Sequence, residues 1–78
     1  MDSFNLNVFV MELKSVCGLE GDISERHFLK DDLSISSFDI MLVIAIIEKK
    51  YNKHCNINRL TKAKTVLDFY SSFNDVGN

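Results

Sequence analysis

The sequence predicts an all-α fold: a small four-helix bundle, with three main helices, one short helix, and a long loop between helices 1 and 2. Three observations point there. Leu6, Phe9, Val10, Leu13, Val16 and Cys17 fall at the i, i+3, i+4, i+7 spacing of a single helical face. An apolar run, Ile40–Ile47, continues through Glu48-Lys49-Lys50-Tyr51 without a breaker. Proline is absent and there are three glycines, which disfavours a turn-rich β architecture. The 78 residues are read as one domain, 1–78, because a chain of this length carries a single core.

Residues 4–17 make the first predicted helix. Ser3 or Asp2 is the expected cap, and Gly18 stands where a left-handed residue closes a helix. Cys17 reads as a small buried hydrophobe. Residues 18–35 keep no sustained period. They predict a long ordered loop pinned by Leu19, Ile23, Phe28, Leu29, Leu33 and Ile35, with a short helical turn near Glu25–Leu29.

Residues 37–51 make the second helix. The β-branched residues of Ile40–Ile47 make a buried strand the rival reading. The unbroken run to Tyr51 is too long for a typical strand, and the sequence offers no evident second strand to pair with it. Ser36 is placed to cap this helix, Asp39 to sit at N3 near its positive end, and Asn52 to end it. Val43, Ile46, Ile47 and Tyr51 are expected to face the core. Residues 57–62 leave room for a short third helix. Thr65 caps a fourth, with Asp68 three residues on as a capping-box partner. Val66, Phe69, Tyr70 and Phe73 should face the core, and the tail Asn74–Asn78 is expected to fray.

Charge is unevenly distributed. Residues 1–48 hold nine acids and three bases; residues 49–78 hold six bases and two acids. The acidic front half does not suit a general nucleic-acid binder, which needs a basic face for phosphates. The basic group Lys49, Lys50, Lys53, Arg59, Lys62 and Lys64 reads first as a solvated face. Two cysteines do not make a disulfide framework. The acidic N-terminus lacks the features of a signal peptide, and Ile40–Ile47 is far short of the roughly 20 residues that span a bilayer. The expectation is a cytoplasmic protein without membrane insertion.

Little in the chain resembles catalytic machinery. His27 and His54 fall in predicted loops with no triad spacing to a serine. The cysteines and histidines show no paired metal-ligand spacing, and there is no glycine-rich phosphate cradle. No catalytic residue, metal site or enzymatic activity is therefore expected. What stands out is Ser37, placed at N1 of the second helix, where unpaired amides and the positive helix end favour a phosphate ester. Phe38, Met41, Leu42 and Ala45 follow at helical spacing as an outward apolar strip that could dock a partner. Taken alone, these residues fit better two serines that merely cap a helix.

The stretch Asp32-Leu33-Ser34-Ile35-Ser36-Ser37-Phe38-Asp39, the helix end Glu48-Lys49-Lys50-Tyr51 and the opening Thr65-Val66-Leu67-Asp68 resemble the phosphopantetheine-binding acyl carrier family. The register holds from about residue 4 to residue 73. The resemblance implies that Ser37 carries 4′-phosphopantetheine, attached from coenzyme A by a phosphopantetheinyl transferase. The arm's thiol would hold acyl groups as thioesters in fatty acid, polyketide or related lipid metabolism. Acyl-loading and acyl-processing enzymes would be the partners, docking on Phe38, Asp39, Met41, Leu42 and Ala45. Val43, Ile46, Ile47, Ile57, Leu60, Ala63 and Phe69 could line a site for the acyl chain, although each is also an ordinary core candidate. The carrier is expected to be a monomer.

The departures are informative. Ser34 stands where the family has glycine, so an altered turn before the helix is expected. Phe38 replaces leucine. Leu42 and Lys49-Lys50 replace acids that commonly face basic partner enzymes, which predicts a specialised carrier whose partners are selected more by apolar contact. The competing reading is an unmodified helical protein–protein interaction module.

Overall fold

The computed structural model describes residues 3–76. Its elements in chain order are α1 (Leu6–Cys17), α2 (Ser37–Tyr51), β1 (Lys53–Cys55), α3 (Ile57–Thr61), α4 (Val66–Ser71) and β2 (Phe73–Asp75). The four helices follow the predicted order, and the long connection between the first two is present. The short strands, which the sequence reading did not anticipate, pair antiparallel, with Cys55 opposite Phe73 and Lys53 opposite Asp75.

α1 begins two residues later than the expected start at residue 4, at Leu6, where the apolar period itself opens. Asn5, not Ser3, is the cap: its Oδ1 accepts the Val8 N–H at 2.9 Å. Asp2, the other expected cap, lies outside the described residues. Phe4 is thereby left just before the cap, where it meets Phe9 edge-on at 6.2 Å between centroids. Those are the N′ and N4 positions of a hydrophobic staple. Phe4 also touches Tyr51, Tyr70 and Phe73, so this one ring joins α1, α2, α4 and β2. At the other end Gly18 is left-handed, with φ of 66°, and its N–H returns to the Lys14 carbonyl.

α2 has the predicted bounds and caps. Ser36 Oγ accepts the Asp39 N–H at 3.1 Å, and Asp39 Oδ2 accepts the Ser36 N–H at 3.3 Å, a reciprocal capping box. Asn52 ends the helix in a left-handed conformation. Val43 and Ile47 are fully buried, and Ile40, Ile44 and Tyr51 pack against the core. Ile46 is half-buried and lies outside that cluster; the inward stripe is rotated toward Ile40 and Ile44 instead. Thr65 and Asp68 form a second capping box at the start of α4.

The loop from residue 18 to residue 35 differs from expectation in one place. Glu25–Leu29 holds a single turn at its start, where His27 N–H donates to the Ser24 carbonyl at 3.1 Å, and does not continue as a helix because its other backbone groups are taken by Lys64 and the first residues of α4. Leu29 N–H donates to the Lys64 carbonyl at 2.8 Å, Val66 N–H to His27 at 3.0 Å, and Leu67 N–H to Glu25 at 3.0 Å. Helical-type turns come slightly later, where Asp32 and Leu33 N–H donate to Phe28 and Ser34 N–H donates to Lys30.

The core is Phe9, Leu13, Leu29, Ile35, Val43, Ile47, Cys55, Val66, Phe69 and Phe73. Phe73 reaches it from β2, beyond the helix on which the sequence places it. Cys55, not Cys17, is the cysteine buried in the core; Cys17 is half-buried against its edge. The tail expected to fray is tied down as far as Asp75 by the β1–β2 pairing, and Lys53 pairs with Asp75. Gly77 and Asn78 lie outside the described residues.

α1 and α2 are joined by a polar clasp. The Glu12 side chain, 13% exposed, accepts Lys50 Nζ at 2.7 Å and also the Tyr51 hydroxyl. These two donors hold its carboxyl below the ordinary value of 4.5. The resulting stability is present above the unfolded-state pKa and is lost as pH falls through the lowered folded-state value. Glu12→Gln should cost about 1–2 kcal/mol at neutral pH in urea denaturation. The gap between variant and parent should narrow below about pH 4; a gap of equal size in acid would assign the effect to packing rather than to charge.

Candidate functional site

The relevant geometry converges at the start of α2. Leu29 N–H is fixed by the Lys64 carbonyl, Ile35 N–H by the Leu29 carbonyl at 2.9 Å, and Ile35 is buried. Ser36 follows as the cap and Ser37 as the first helical residue. The two serines thus have different tasks. The Ser36 hydroxyl is occupied by the Asp39 amide. Ser37 is exposed, and among the described residues its hydroxyl has no hydrogen-bond partner. It stands at the helix end that carries positive partial charge and unpaired amides.

Ser34 also acts here. It adopts φ of 54°, the left-handed region glycine would take without cost, so the expected departure in the turn is met by strain at the serine itself.

The residues expected to dock partners divide in two. Phe38 and Met41 are each 69% exposed and Leu42 39% exposed, while Ala45 is exposed beside them. At 100° per residue they occupy one outward face of α2. Asp39 is half-buried and turned back into the capping box.

The residues named as an acyl-chain lining are also dispersed. Val43, Ile47 and Phe69 are fully buried in the core; Ile46, Leu60 and Ala63 are half-buried; Ile57 is 60% exposed. Only Ala63 of that set lines the cavity of about 390 Å³ beside α2, whose other walls are Phe28, Leu29, Lys30, Asp31, Ile40 and Lys64. Ile40 lies one turn after Ser37 and shares its flank of the helix. That i+3 relation is readable from the sequence. The contribution of residues 28–31 is not, because it depends on the backbone pairing of this loop with residues 64–67.

Neither histidine serves Ser37. His27 Nδ1 accepts the Ser24 N–H at 3.0 Å. His54 lies in β1 rather than in a loop, with Nδ1 3.6 Å from Glu48 Oε2. Among the described residues, no group of three potential metal ligands comes together, and no helix is long and apolar enough to cross a membrane.

No family model matches the sequence, and no curated protein matches it. Among solved structures, a provisionally assigned acyl carrier protein from Mycobacterium tuberculosis superposes with a TM-score of 0.78. It is 21% identical, and the match covers 86% of this chain and 90% of that one. A likeness at this identity establishes the fold: the chain has the helical fold of an acyl carrier protein.

The serines can be separated by experiment. Ser36→Ala should lower stability by about 1 kcal/mol through loss of the cap, whereas Ser37→Ala should leave the urea midpoint nearly unmoved. Equal losses would show that Ser37 is structural. Ser34→Gly should raise stability by about 0.5–1 kcal/mol, since relief of the left-handed strain exceeds the added entropy of the unfolded chain; a destabilised Ser34→Gly would mean that the serine side chain contributes a contact.

Proposed function

We propose that this protein is an acyl carrier protein in which Ser37 bears 4′-phosphopantetheine. The observation that carries the reading is the Ser37 hydroxyl, exposed and, among the described residues, without an internal partner at the first turn of a 15-residue helix. A serine needed only for capping would be engaged as Ser36 is. The likeness in fold to a carrier protein and the short motifs around Ser37 support the same assignment.

The residues present fit such a group. A phosphodiester on Ser37 would lie in the field of the α2 amides, with Ser36 and Asp39 closing the helix end beneath it. When bound, the group supplies a thiol that holds acyl cargo as a thioester. The chain's own task is to hold the attachment point rigid, leave it accessible and present a surface that enzymes recognise. The cavity walled by Phe28, Leu29, Ile40 and Ala63 on the Ser37 flank offers shelter for part of a short acyl chain. Phe38, Met41, Leu42 and Ala45 offer the docking strip, and its lack of acids favours specialised partners in fatty acid, polyketide or related biosynthesis.

Incubation with coenzyme A and a promiscuous phosphopantetheinyl transferase should add one phosphopantetheine mass per chain. Ser37→Ala should add none, and Ser36→Ala should still be modified. Absence of any adduct with several transferases would overturn the assignment in favour of an unmodified interaction module.

A further inference from the structure

We infer that Asp68 is a positioning residue for the modification of Ser37: its carboxylate aims the Lys64–Thr65 peptide group at the loop that fixes the start of α2. The inference rests on the carrier reading and adds to it a distant residue on which loading of the arm depends.

The Lys64 carbonyl and the Thr65 N–H belong to one planar peptide group and point in opposite directions. Asp68 Oδ2 accepts the Thr65 N–H at 3.1 Å, and the Lys64 carbonyl accepts the Leu29 N–H at 2.8 Å. Asp68 Oδ2 also accepts the Lys64 N–H at 2.9 Å, so the peptide groups on both sides of Lys64 end on one oxygen. Turning the Lys64 carbonyl away from Leu29 therefore breaks the bond between Thr65 and the carboxylate. The carboxylate charge strengthens that bond and polarises the carbonyl on the far side of the same plane. The bonds from Lys64 and Thr65 hold the Asp68 carboxyl below its ordinary value, which keeps it ionised at neutral pH.

The plane leads directly to the modified serine. Thr65 stands opposite Phe28 in an antiparallel bridge, which sets the register of the two segments. The Leu29 carbonyl accepts the Ile35 N–H at 2.9 Å, Ser36 then caps α2 and Ser37 opens it. Among the described residues the Ser37 hydroxyl has no hydrogen-bond partner, so the backbone alone sets its place. In loading, the Ser37 oxygen bonds to the pantetheine-side phosphorus of coenzyme A. The P–O bond to the nucleotide phosphate breaks, and the serine proton is released. A reacting oxygen displaced by about 1 Å loses rate even when docking is unchanged.

The capping box of α4 supplies the control, because Thr65 and Asp68 are its two halves. Thr65→Ala removes the Oγ1 that accepts the Asp68 N–H at 3.2 Å but keeps the backbone N–H that Asp68 holds. Asp68→Ala keeps the hydroxyl cap and removes the acceptor of the peptide group. Asp68 is exposed and Thr65 half-buried, and urea midpoints check that each variant keeps the fold.

Full-length parent, Asp68→Ala, Asp68→Asn and Thr65→Ala are loaded from coenzyme A by one promiscuous phosphopantetheinyl transferase, with rates followed by intact mass. Amide exchange is measured on the same chains before loading. Asp68→Ala should lower kcat about tenfold with KM little changed, since the α2 strip is unaltered. It should also speed exchange at Leu29 and Ile35. Asp68→Asn retains an acceptor oxygen and should load within about twofold of the parent. Thr65→Ala should lower the urea midpoint through loss of the cap and still load as the parent does.

Loading of Asp68→Ala at the parent rate, or an equal slowing by Thr65→Ala, would overturn the inference and leave the carrier reading intact. Faster exchange spread equally over α1 would show general loosening and would also overturn it. A parent chain that takes no arm would overturn both.

Discussion

A relay of backbone hydrogen bonds fixes where α2 begins, and the site follows from it. The Lys64 carbonyl holds Leu29, the Leu29 carbonyl holds Ile35, and the next residue is the cap of α2. Leu29 and Ile35 are both buried, so each bond is shielded from water and the register cannot slip without exposing an apolar side chain. Val66 and Leu67 donate back to His27 and Glu25, which ties the start of α4 to the same loop. A loop of this length would otherwise carry a considerable ordering cost. Here it is held like an edge strand against the α3–α4 connection, and Ser37 inherits that rigidity.

The two capping boxes act on either side of this relay. Ser36–Asp39 closes α2 and Thr65–Asp68 closes α4, and in each the acid satisfies the cap's own N–H. Asp68 also accepts the Lys64 N–H. Its carboxyl is held below the ordinary value by these backbone bonds, so it stays ionised and keeps its grip on the segment that anchors Leu29. An acid that the sequence marks as a local helix signal is therefore also part of the long-range frame under the site. Ser37 is free because its neighbour performs the capping.

This division explains what could be read from residue order. The bounds of α2, its caps, the Gly18 terminus and the Thr65–Asp68 box depend on residues within four positions of one another, and the periodic and capping rules recover them. The β1–β2 pair, the diverted Glu25–Leu29 segment and the walls of the cavity depend on contacts between distant residues. Nothing local in Lys53–Cys55 or Phe73–Asp75 marks a strand; they pair because Phe73 has to enter the core beside Phe9 and Phe69. The acyl-lining residues chosen from apolar spacing include Val43, Ile47 and Phe69, which the core itself occupies, whereas Ile40 and Ala63 meet at the cavity. Apolar periodicity identifies which residues avoid water, not which of them leave space.

The charges of α2 follow a related logic. An acid in its first turn and lysines in its last complement the helix dipole, and Lys50 joins the clasp to Glu12. Acids along the outward middle of the helix would serve partners but not the fold. This chain has Met41, Leu42 and Ala45 there instead. An exposed apolar face invites association, and its extent is limited by Lys49 at one end and by the capping box at the other. The fold therefore uses only part of this helix: its inward face and its ends hold the bundle together, and the short apolar stretch between the capping box and Lys49 stays exposed on the side away from the core.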